Sequence, residues 1–450
     1  MSASAAVQSV PVDAASDAVM RKVFRRLMWF LFVLLIISFI DRINVAFAGL
    51  SMNKDLGLTA SMFGMAITLF YIGYFLCEIP SNLLLARFGA KIWIARIMIT
   101  WGIASAGTMF ATGEWSLYFW RAVTGIAEAG FLPGVLLYLT YWFPRSYRAR
   151  ASALFIMGIP TAIAVASLLS GMILQMDGIL GLAGWRWLFL LEGLPAVIFG
   201  VAAYFYLTDR PAHAGWLTDA EKATLEARMR QDRALEEQTG TAKGSVMREL
   251  MSPNVILLCV AYFGLVSSLN ANATWTPQVV RGFAGGASFF VIGIITAVPA
   301  VLTLLAMPFW GKSSDRRKER PWHVRIPMLV AVAGWLCVIG FSNPGLKFLG
   351  LTLVSVGSYC GMLTFWTLPA NAAILSPAAR PAGIALINSV GIGGGSAIGP
   401  LVVGFLKDWS GSFTPGFLYV IAMLLMGVVC ITALAGHERV AAAAAAPSRA

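Results

Sequence analysis

Residues 311–317 read GKSSDRR, and residues 87–91 read RFGAK. The first segment follows the eighth of twelve long apolar stretches and the second follows stretch two, so they hold equivalent places in the two halves of the chain. A second pair repeats in the same way, because RASA at 150–153 opens the fifth stretch and RPAGIA at 380–385 opens the eleventh. This internal repeat predicts two similar bundles of six membrane-spanning helices.

The composition sets the class of protein. Of the 450 residues, 58% are hydrophobic and 12% are charged, and the mean hydropathy is +0.77. A soluble domain carries about 25% charged residues, so this chain lacks the polar residues that a water-facing surface requires. The composition argues against a soluble enzyme, a nucleic-acid-binding protein and a disordered scaffold. The net charge of +12 therefore matters less than the places where the basic residues fall.

A membrane-spanning helix needs about 20 predominantly apolar residues. Twelve stretches meet this requirement, and we predict one helix for each of them. They lie at residues 25–50, 60–85, 91–112, 116–142, 149–175, 186–207, 254–280, 287–310, 325–343, 346–373, 381–406 and 413–435. Prolines and a glycine run interrupt the tenth and eleventh stretches. The first stretch is too long for a cleavable signal peptide, so we expect it to remain as a span.

The longest hydrophilic stretch divides the spans into two groups of six. It has mixed charge and a helical pattern around residues 217–237, which predicts a solvated linker helix rather than a separate domain. The predicted organisation is a cytoplasmic N-terminal tail at 1–24, an N-terminal six-helix bundle at 25–207, a cytoplasmic linker with a short helix at 208–252, a C-terminal six-helix bundle at 253–436 and a disordered C-terminal tail at 437–450.

The basic residues predict how the chain is oriented. If both termini lie in the cytoplasm, the cytoplasmic segments hold 26 of the 33 lysines and arginines, and the opposite loops hold five. An excess of this kind on one side is the positive-inside pattern of multi-pass membrane proteins. We therefore expect both termini to be cytoplasmic.

No pattern of catalytic or metal-binding residues accompanies the spans. The five cysteines and three histidines are isolated from one another, which gives neither a metal-ligand spacing nor a disulfide framework. The sequence has no phosphate-binding loop, no nucleophile elbow and no zinc-protease motif. We therefore predict no enzyme activity, no metal site and no cofactor.

Charged residues inside the predicted spans are the strongest functional signal. Each costs about 2.5–3.5 kcal/mol at the centre of a membrane helix, so such residues are functional by default, with structural ion pairs as the alternative. Arg121 and Glu128 share one helix face about 10 Å apart along the axis, so they need a third group to interact. Six such residues stand out, all in the first half: Asp41, Arg42, Glu78, Arg121, Glu128 and Glu192.

Short motifs in the first seven spans indicate a family. They are FIDRIN at 39–44, YIGY at 71–74, EIPSN at 78–82, RAVTGIAEAG at 121–130, WRWLF at 185–189 and WTPQ at 275–278. Together with GKSSDRR they resemble the anion:cation symporter family of the major facilitator superfamily, and within it the bacterial tartrate, phthalate and hydroxyphenylacetate permeases. The resemblance implies an all-α integral membrane fold of twelve transmembrane helices in two pseudo-symmetric halves, located in a bacterial inner membrane.

The resemblance also implies a function. It is secondary active import of an organic acid anion by proton symport through alternating access. The expected partners are a small organic anion, protons and the lipid bilayer, with no nucleic acid and with a monomer as the functional unit. A tartrate-like dicarboxylate, an aromatic acid and a sugar acid all stay open as substrates. An exporter, antiporter or facilitator on the same fold and a non-transporting membrane receptor are the alternatives.

Four of the buried charges receive specific roles. A permanently protonated arginine can hold a carboxylate through two hydrogen bonds, and a buried carboxyl group can carry a coupled proton. The resemblance implies protonation of Asp41 and Glu128 and anion binding by Arg42 or Arg121. We expect Arg42 to contact the substrate and Arg121 to hold the two carboxylates, and the reverse assignment stays open.

Neutral polar side chains on spans two and seven are expected in the binding pocket. Tyr71 and Tyr74 lie one turn apart on span two, and the resemblance favours Tyr74 as the contact to substrate or proton network. Asn270 and Asn272 lie in a polar run of span seven, and their amides suit hydroxyl and carboxylate oxygens. Helix packing is the alternative for all four residues.

The second half also supplies two residues from later spans. The resemblance implies that Asn388, which precedes the glycine run at 391–395, binds substrate. Trp366 on span ten is expected at the floor of the pocket. The glycine run itself predicts close helix approach or bending.

The repeated basic segments are expected to form gating loops. In the second half this loop carries Gly311, Asp315 and Arg316, and Arg87 is the counterpart in the first half. Two further carboxylates are expected to be structural. We predict an ion pair between Glu78 and a loop arginine. We also predict a structural role for Glu192, which lies early in span six.

Overall fold

The computed structural model describes residues 14–239, 246–317, 319–369, 375–376 and 379–444. Within these ranges the chain is built from α-helices joined by short turns. The helices are α1 (Ala14–Ala48), α2 (Met52–Asp55), α3 (Ala60–Phe88), α4 (Ala90–Gly107), α5 (Glu114–Glu128), α6 (Phe131–Trp142), α7 (Arg145–Ile156), α8 (Gly158–Ile173), α9 (Gly184–Tyr206), α10 (Asp219–Thr239), α11 (Val246–Leu250), α12 (Pro253–Phe283), α13 (Phe289–Arg317), α14 (Pro321–Gly340), α15 (Pro344–Phe365), α16 (Arg380–Asn388), α17 (Ser396–Ser410) and α18 (Thr414–Ala444).

Twelve helical segments of the described chain are long and apolar enough to cross a membrane. Three of them consist of two consecutive helices, namely α5–α6, α7–α8 and α16–α17. The predicted all-α, multi-pass fold class is therefore confirmed. An even number of spans leaves both chain ends on one side of the membrane, here called the terminal face, and the opposite side is the distal face.

The outermost helices extend beyond their predicted bounds. α1 begins at Ala14 and α18 continues to Ala444, so the predicted tail boundaries at 24 and 436 both fall inside helices. The C-terminal extension ends in an alanine run, and alanine has the highest helix propensity. α10 covers Asp219–Thr239 within the predicted linker. The division of the chain into two bundles at the linker stays a prediction.

The fourth span is broken, whereas the sequence predicted one continuous helix. α5 ends at Glu128, and Gly130 adopts a left-handed conformation with φ of 87° before α6 begins at Phe131. Glycine adopts this conformation at little cost, and a side chain at this position would also collide with Ser81. The break therefore places Glu128 in the last turn of a helix.

The eleventh span contains a π-helical turn, Ser389–Gly395, between α16 and α17. The predicted close approach of the glycine run occurs here. A Cβ atom on Gly391 would lie 2.0 Å from the Tyr262 ring, and one on Gly393 would lie 2.9 Å from the Phe75 ring. Since Phe75 belongs to α3 and Tyr262 to α12, the turn packs against an aromatic ring from each half of the chain.

The two halves contact each other where α3 meets α17, α8 meets α13 and α1 meets α12. The α3–α17 contact is close near the distal face, where a Cβ atom on Gly404 would lie 2.3 Å from the Ala60 carbonyl oxygen. Asp408 of α17 also accepts hydrogen bonds from the backbone N–H groups of Ala60 (2.9 Å) and Ser61 (2.7 Å). A carboxylate of one half therefore caps a helix of the other.

Candidate functional site

A cavity of about 140 Å³ lies between the two halves. The first half lines it with Arg42, Tyr71 and Arg121, and the second half contributes Asn270 and Ser396 to the opposite wall. These side chains come from α1, α3 and α5 on one side and from α12 and α17 on the other. The cavity is therefore the candidate binding site, here called the central cavity.

Glu128 is fully buried beside this cavity and forms an ion pair with Arg42. The Arg42 Nε atom lies 2.7 Å from Glu128 Oε1, and the Ser38 hydroxyl donates a hydrogen bond to the same oxygen at 2.8 Å. Glu128 Oε2 has no partner among the described residues. Because Glu128 ends α5 and Arg42 lies on α1, the ion pair joins these two helices.

Aromatic rings surround the rest of the Arg42 guanidinium. Its Cζ atom lies 4.8 Å from the ring centroid of Tyr74, 5.1 Å from that of Phe39 and 5.7 Å from that of Phe70. Such contacts stabilise a cation by about 0.5–2 kcal/mol. Tyr74, which the sequence places in substrate or proton contact, therefore packs on Arg42 and is not among the residues that line the central cavity.

Arg121 has no such ion pair, although it lines the same cavity and only 2% of its surface is exposed. Its Cζ atom lies 4.6 Å from the ring centroid of Phe70. Within the described part of the chain, no hydrogen bond or ion pair holds its guanidinium. Arg42 from α1 therefore reaches Glu128 directly, whereas Arg121 does not hold the two carboxylates by hydrogen bonds. Which of the two arginines contacts the substrate stays a prediction.

Close packing of α3 and α5 fixes the position of Arg121. A Cβ atom on Gly125 would lie 2.1 Å from the Phe70 carbonyl oxygen, so only glycine allows the two backbones to approach at this point. Gly125 lies one helical turn after Arg121. The approach therefore holds the guanidinium against the Phe70 ring and at the wall of the cavity.

Asp41 is buried and is held by neutral partners. Its Oδ1 atom accepts hydrogen bonds from the Asn44 side chain (2.8 Å) and from the Ser105 hydroxyl, while Oδ2 has no partner in the described part of the chain. Asp41 lies within electrostatic range of both Glu128 and Arg121. Asp41 and Arg42 face different partners because adjacent helical residues point about 100° apart.

The opposite wall carries a connected set of neutral polar groups. The Tyr71 hydroxyl donates to Asn270 Oδ1 across the interface at 2.7 Å, and Asn270 Nδ2 donates to the Ser396 hydroxyl at 3.0 Å. Sequence reasoning missed Ser396 and ranked Tyr71 below Tyr74. The only signal for Tyr71 is its place one turn before Tyr74, and Ser396 has no signal beyond following the glycine run.

The other predicted binding residues lie outside the lining of the central cavity. Asn272 faces a separate void of about 30 Å³, because it points about 200° away from Asn270 on the same helix. Trp366 packs on Tyr262, with ring centroids 4.8 Å apart, and Tyr262 in turn lines the cavity. Asn388 ends α16 and is not a lining residue. Direct substrate contact by these residues stays a prediction.

The residues predicted to form a gating loop in the second half are helical. α13 ends one residue after Arg316, so that Gly311, Asp315 and Arg316 all belong to it. Lysine and arginine are good helix formers, and basic residues suit the last turn of a helix. Asp315 forms an ion pair with Arg320 at 2.9 Å. Arg87 likewise lies in the last turn of α3.

Two further carboxylates of the first half form no ion pair in the described ranges. Glu192 is buried and accepts a hydrogen bond from the Ser170 hydroxyl at 2.8 Å. Glu78 is partly buried, and the ion pair predicted for it with a loop arginine is not formed among the described residues. Neither residue lines the central cavity.

Comparison with known proteins identifies similar chains. Residues 30–390 match the model of a family described as the Major Facilitator Superfamily. A relative from Agrobacterium vitis named "Putative tartrate transporter" is 43% identical over 417 residues, which is 93% of this chain and 91% of the relative. A relative from Acinetobacter baumannii named "Quinolone resistance transporter" is 35% identical over 416 residues, 91% of this chain and 93% of the relative.

A solved structure shows the same fold. It is a bacterial homologue of the human lysosomal transporter Spinster, in an inward-facing and occupied conformation. The TM-score is 0.72 with 16% sequence identity, and the similarity covers 91% of this chain and 96% of the other.

Proposed function

The chain belongs to the Major Facilitator Superfamily, and from that premise we propose that it imports an organic acid anion by proton symport. The substrate classes that fit are a tartrate-like dicarboxylate, an aromatic acid and a sugar acid. The relative named "Putative tartrate transporter" favours the first of them.

Arg121 is the observation that carries the proposal. A buried charge that forms neither an ion pair nor a hydrogen bond costs several kcal/mol of desolvation free energy, and this cost falls if a bound ligand supplies the opposite charge. A substrate carboxylate does so and accepts two parallel hydrogen bonds from one guanidinium. An unpaired arginine at the wall of a membrane cavity therefore supports an anionic substrate.

The Arg42–Glu128 ion pair supports coupling to protons. Ionised Glu128 holds Arg42 at 2.7 Å. When Glu128 takes up a proton, this attraction is lost and the Arg42 guanidinium, which also lines the cavity, is released towards the ligand. Proton uptake therefore favours anion binding, and a dicarboxylate then meets two arginines, Arg42 and Arg121.

Asp41 is the proposed second proton site. Electroneutral transport of a dianion requires two protons, whereas a monoanion requires one. Asp41 is buried, has no cationic hydrogen-bond partner in the described chain and leaves one carboxylate oxygen without a partner. A carboxylate oxygen without a partner can take up a proton without breaking an existing hydrogen bond.

Specificity is proposed to come from the neutral wall of the cavity. The chain of hydrogen bonds through Tyr71, Asn270 and Ser396 can exchange partners with the hydroxyl groups of a hydroxy-acid. A ligand without hydroxyl groups leaves these groups bonded to one another. The affinity of this wall for different acids would therefore depend on the positions of their hydroxyl groups rather than on their charge.

Alternating access would occur by movement of the two halves about the central cavity. The cap that Asp408 places on α3 near the distal face must then break whenever that face opens.

We further propose that the protein acts as a monomer in a bacterial inner membrane, with both termini in the cytoplasm. The excess of basic residues on the terminal face supports this orientation.

Uptake into liposomes tests this function. Liposomes that hold the purified protein receive labelled tartrate, an aromatic acid, a sugar acid or, as a matched control, a neutral sugar, with and without an inward proton gradient. We expect at least one acid to accumulate only with the gradient, and the neutral sugar not to accumulate. If uptake of the acid is the same with and without the gradient, the protein is a facilitator. If an acid binds but does not enter the liposomes, the protein is a receptor.

Export is the second candidate function, because the relative named "Quinolone resistance transporter" is 35% identical over nearly the whole chain. The two candidates differ in the direction of proton flow. A symporter fills liposomes with substrate when the outside is more acidic, whereas a proton antiporter does so when the inside is more acidic. The same liposome experiment with the gradient reversed therefore separates them.

A further inference from the structure

A second cleft, of about 840 Å³, opens on the terminal face between the start of α1, α7 and the end of α9. We call it the terminal cleft. Five basic residues line it: Arg21, Lys22, Arg25, Arg26 and Arg150. The rest of the lining is largely aromatic, and no acidic side chain contributes to it.

Most of these cations have no acidic partner. Lys22 forms an ion pair with Glu221 of α10 at 2.8 Å, and its hydrogen bonds lower the pKa of the Glu221 carboxyl group. This pair neutralises one positive charge of the terminal cleft. Within the described ranges no acidic partner is found for the other four, Arg21, Arg25, Arg26 and Arg150.

Two of the arginines are held on aromatic faces. The Arg26 Cζ atom lies 4.1 Å from the ring centroid of Tyr206 and 5.9 Å from that of Trp216, and Arg150 lies 5.4 Å from Phe24. The buried Nε atom of Arg26 and the indole nitrogen of Trp216 have no acceptor in the described part of the chain. Planar guanidinium groups positioned in this way match the oxygens of a phosphate.

The terminal cleft lies where the chain passes from water into the membrane. α1 changes from basic to apolar after Arg26. Trp29 on its next turn is 52% exposed and donates a hydrogen bond to the Tyr206 hydroxyl at 3.1 Å. Tryptophan and tyrosine concentrate at the depth of lipid headgroups, which places the unpaired arginines at the level of lipid phosphates.

We propose that the terminal cleft binds the headgroup phosphate of an anionic phospholipid. Orienting the chain requires only basic residues on one face; it does not require a cleft with aromatic walls and unpartnered N–H donors. A free phosphate would use the arginines alone, whereas a lipid also covers the exposed ring of Trp29. Basic pockets beside membrane helices are suited to such headgroups. A bound lipid would tie α1 to α9 and to the turn that carries Trp216.

Lipid binding to the full-length protein in detergent tests this proposal. Phosphatidylglycerol and the zwitterionic phosphatidylcholine are titrated separately, and retained lipid is counted by native mass spectrometry while the unfolding temperature is followed. We expect phosphatidylglycerol to bind more tightly than phosphatidylcholine and to raise the unfolding temperature further. Removing Arg26 and Arg150 together, as R26Q/R150Q, should weaken phosphatidylglycerol binding about 25-fold, since each basic residue near a lipid surface contributes about fivefold.

Matched controls separate this site from general charge. Arg210→Gln removes the same charge from the terminal face at a residue that packs on Tyr141 outside the cleft, and should change binding less than twofold. Equal binding of the two lipids by the unmodified protein overturns the proposal without any variant, as does unchanged binding in R26Q/R150Q. If inorganic phosphate reproduces the stabilisation and displaces the lipid, the cleft binds a soluble anion and the lipid assignment is wrong.

Discussion

The two halves of the molecule line one cavity with different chemistry. The first half places Arg42 and Arg121 at the wall, with Glu128 and Asp41 buried close to it, whereas the lining from the second half contains no charged residue. The sequence repeat gives the two halves a similar number of helices, but the charged residues of the cavity lining are not repeated. Because a charge inside a membrane is costly, we propose that the charged first half binds the anion and the proton, and that the neutral lining of the second half binds the hydroxyl groups of the substrate.

The first half contains a second contrast, between its two arginines. Arg42 is bound to Glu128 and surrounded by aromatic rings, while Arg121 is buried without an ionic partner in the described chain. In the proposed cycle, protonation of Glu128 releases one guanidinium, and the other is available throughout. The proposal of proton-coupled anion binding rests on this combination of a fixed cation and a releasable cation in one cavity.

The largest effect is expected from Arg121→Gln. Losing one partner of a buried charge pair costs about 2–5 kcal/mol, so kcat/KM for uptake should fall at least about 30-fold. Arg121→Lys keeps the charge but cannot donate two parallel hydrogen bonds to a carboxylate, so kcat/KM should fall less than in Arg121→Gln. The measurement is uptake into liposomes, with Arg96→Gln as the control for an arginine of α4 that does not line the cavity. Normal uptake by Arg121→Gln would remove the main argument for an anionic substrate.

Glu128→Gln should abolish accumulation yet preserve exchange. The amide of glutamine cannot take up or release a proton in this pH range. Because it is also uncharged, it leaves Arg42 free to bind the anion. We expect no gradient-driven accumulation, while counterflow of labelled for unlabelled substrate stays within about threefold. Glu192→Gln removes another buried carboxyl group of the first half that does not line the cavity, and it should still accumulate substrate. Equal behaviour of the two variants would contradict a special role for Glu128.

A smaller effect is expected in the second half. Asn270→Ala removes one proposed hydrogen-bonding partner of a substrate hydroxyl group, worth about 0.5–1.5 kcal/mol, and should raise the KM of a hydroxy-acid about 2- to 12-fold. An acid without hydroxyl groups should be affected less. Asn272→Ala tests the position that the sequence favoured. A larger effect from Asn272→Ala than from Asn270→Ala would show that the cavity wall is wrongly assigned.

The smallest effect is expected where the halves meet. Asp408→Asn keeps a hydrogen-bond acceptor but removes the charge at the start of α3, which is worth about 0.3–1 kcal/mol. The population open at the distal face should rise roughly 1.7- to 5-fold, as measured by spin-label distances across that face. Lys407→Gln changes the neighbouring charge, which contacts Gln278 of its own half, and should leave the distances unchanged.

The sequence alone could predict the membrane fold and the charged residues of the site. Apolar length and the repeated segments identify the spans, and an arginine or glutamate inside a span is visible without coordinates. The break after Glu128 was missed because Gly130 follows a strongly apolar pattern in which glycine is common. Predicting which arginine pairs with Glu128 requires the relative rotation of α1 and α5, and only packing sets that rotation.

Neutral site residues were harder to predict than charged ones. Asn270 and Asn272 are alike in sequence, and their different surroundings depend on which face of α12 meets α3. Ser396 gives no sequence signal, because serine is common in membrane helices as a packing residue. The basic segment at 311–317 was predicted as a loop, since charge usually marks a chain leaving the membrane, yet a helix can continue into water.

The most direct test of the central claim records anion and proton entry together. Liposomes that hold the protein and a trapped pH indicator receive labelled tartrate, or whichever acid the uptake panel identifies, at a series of external pH values. We predict that anion entry acidifies the interior and that apparent affinity falls as the pH rises, because binding takes up protons. Glu128→Gln should lose the gradient-driven entry that acidifies the interior and should weaken the pH dependence, which Asp41 would retain in part. Anion entry into liposomes with the unmodified protein that causes no acidification and does not depend on pH would contradict proton-coupled transport.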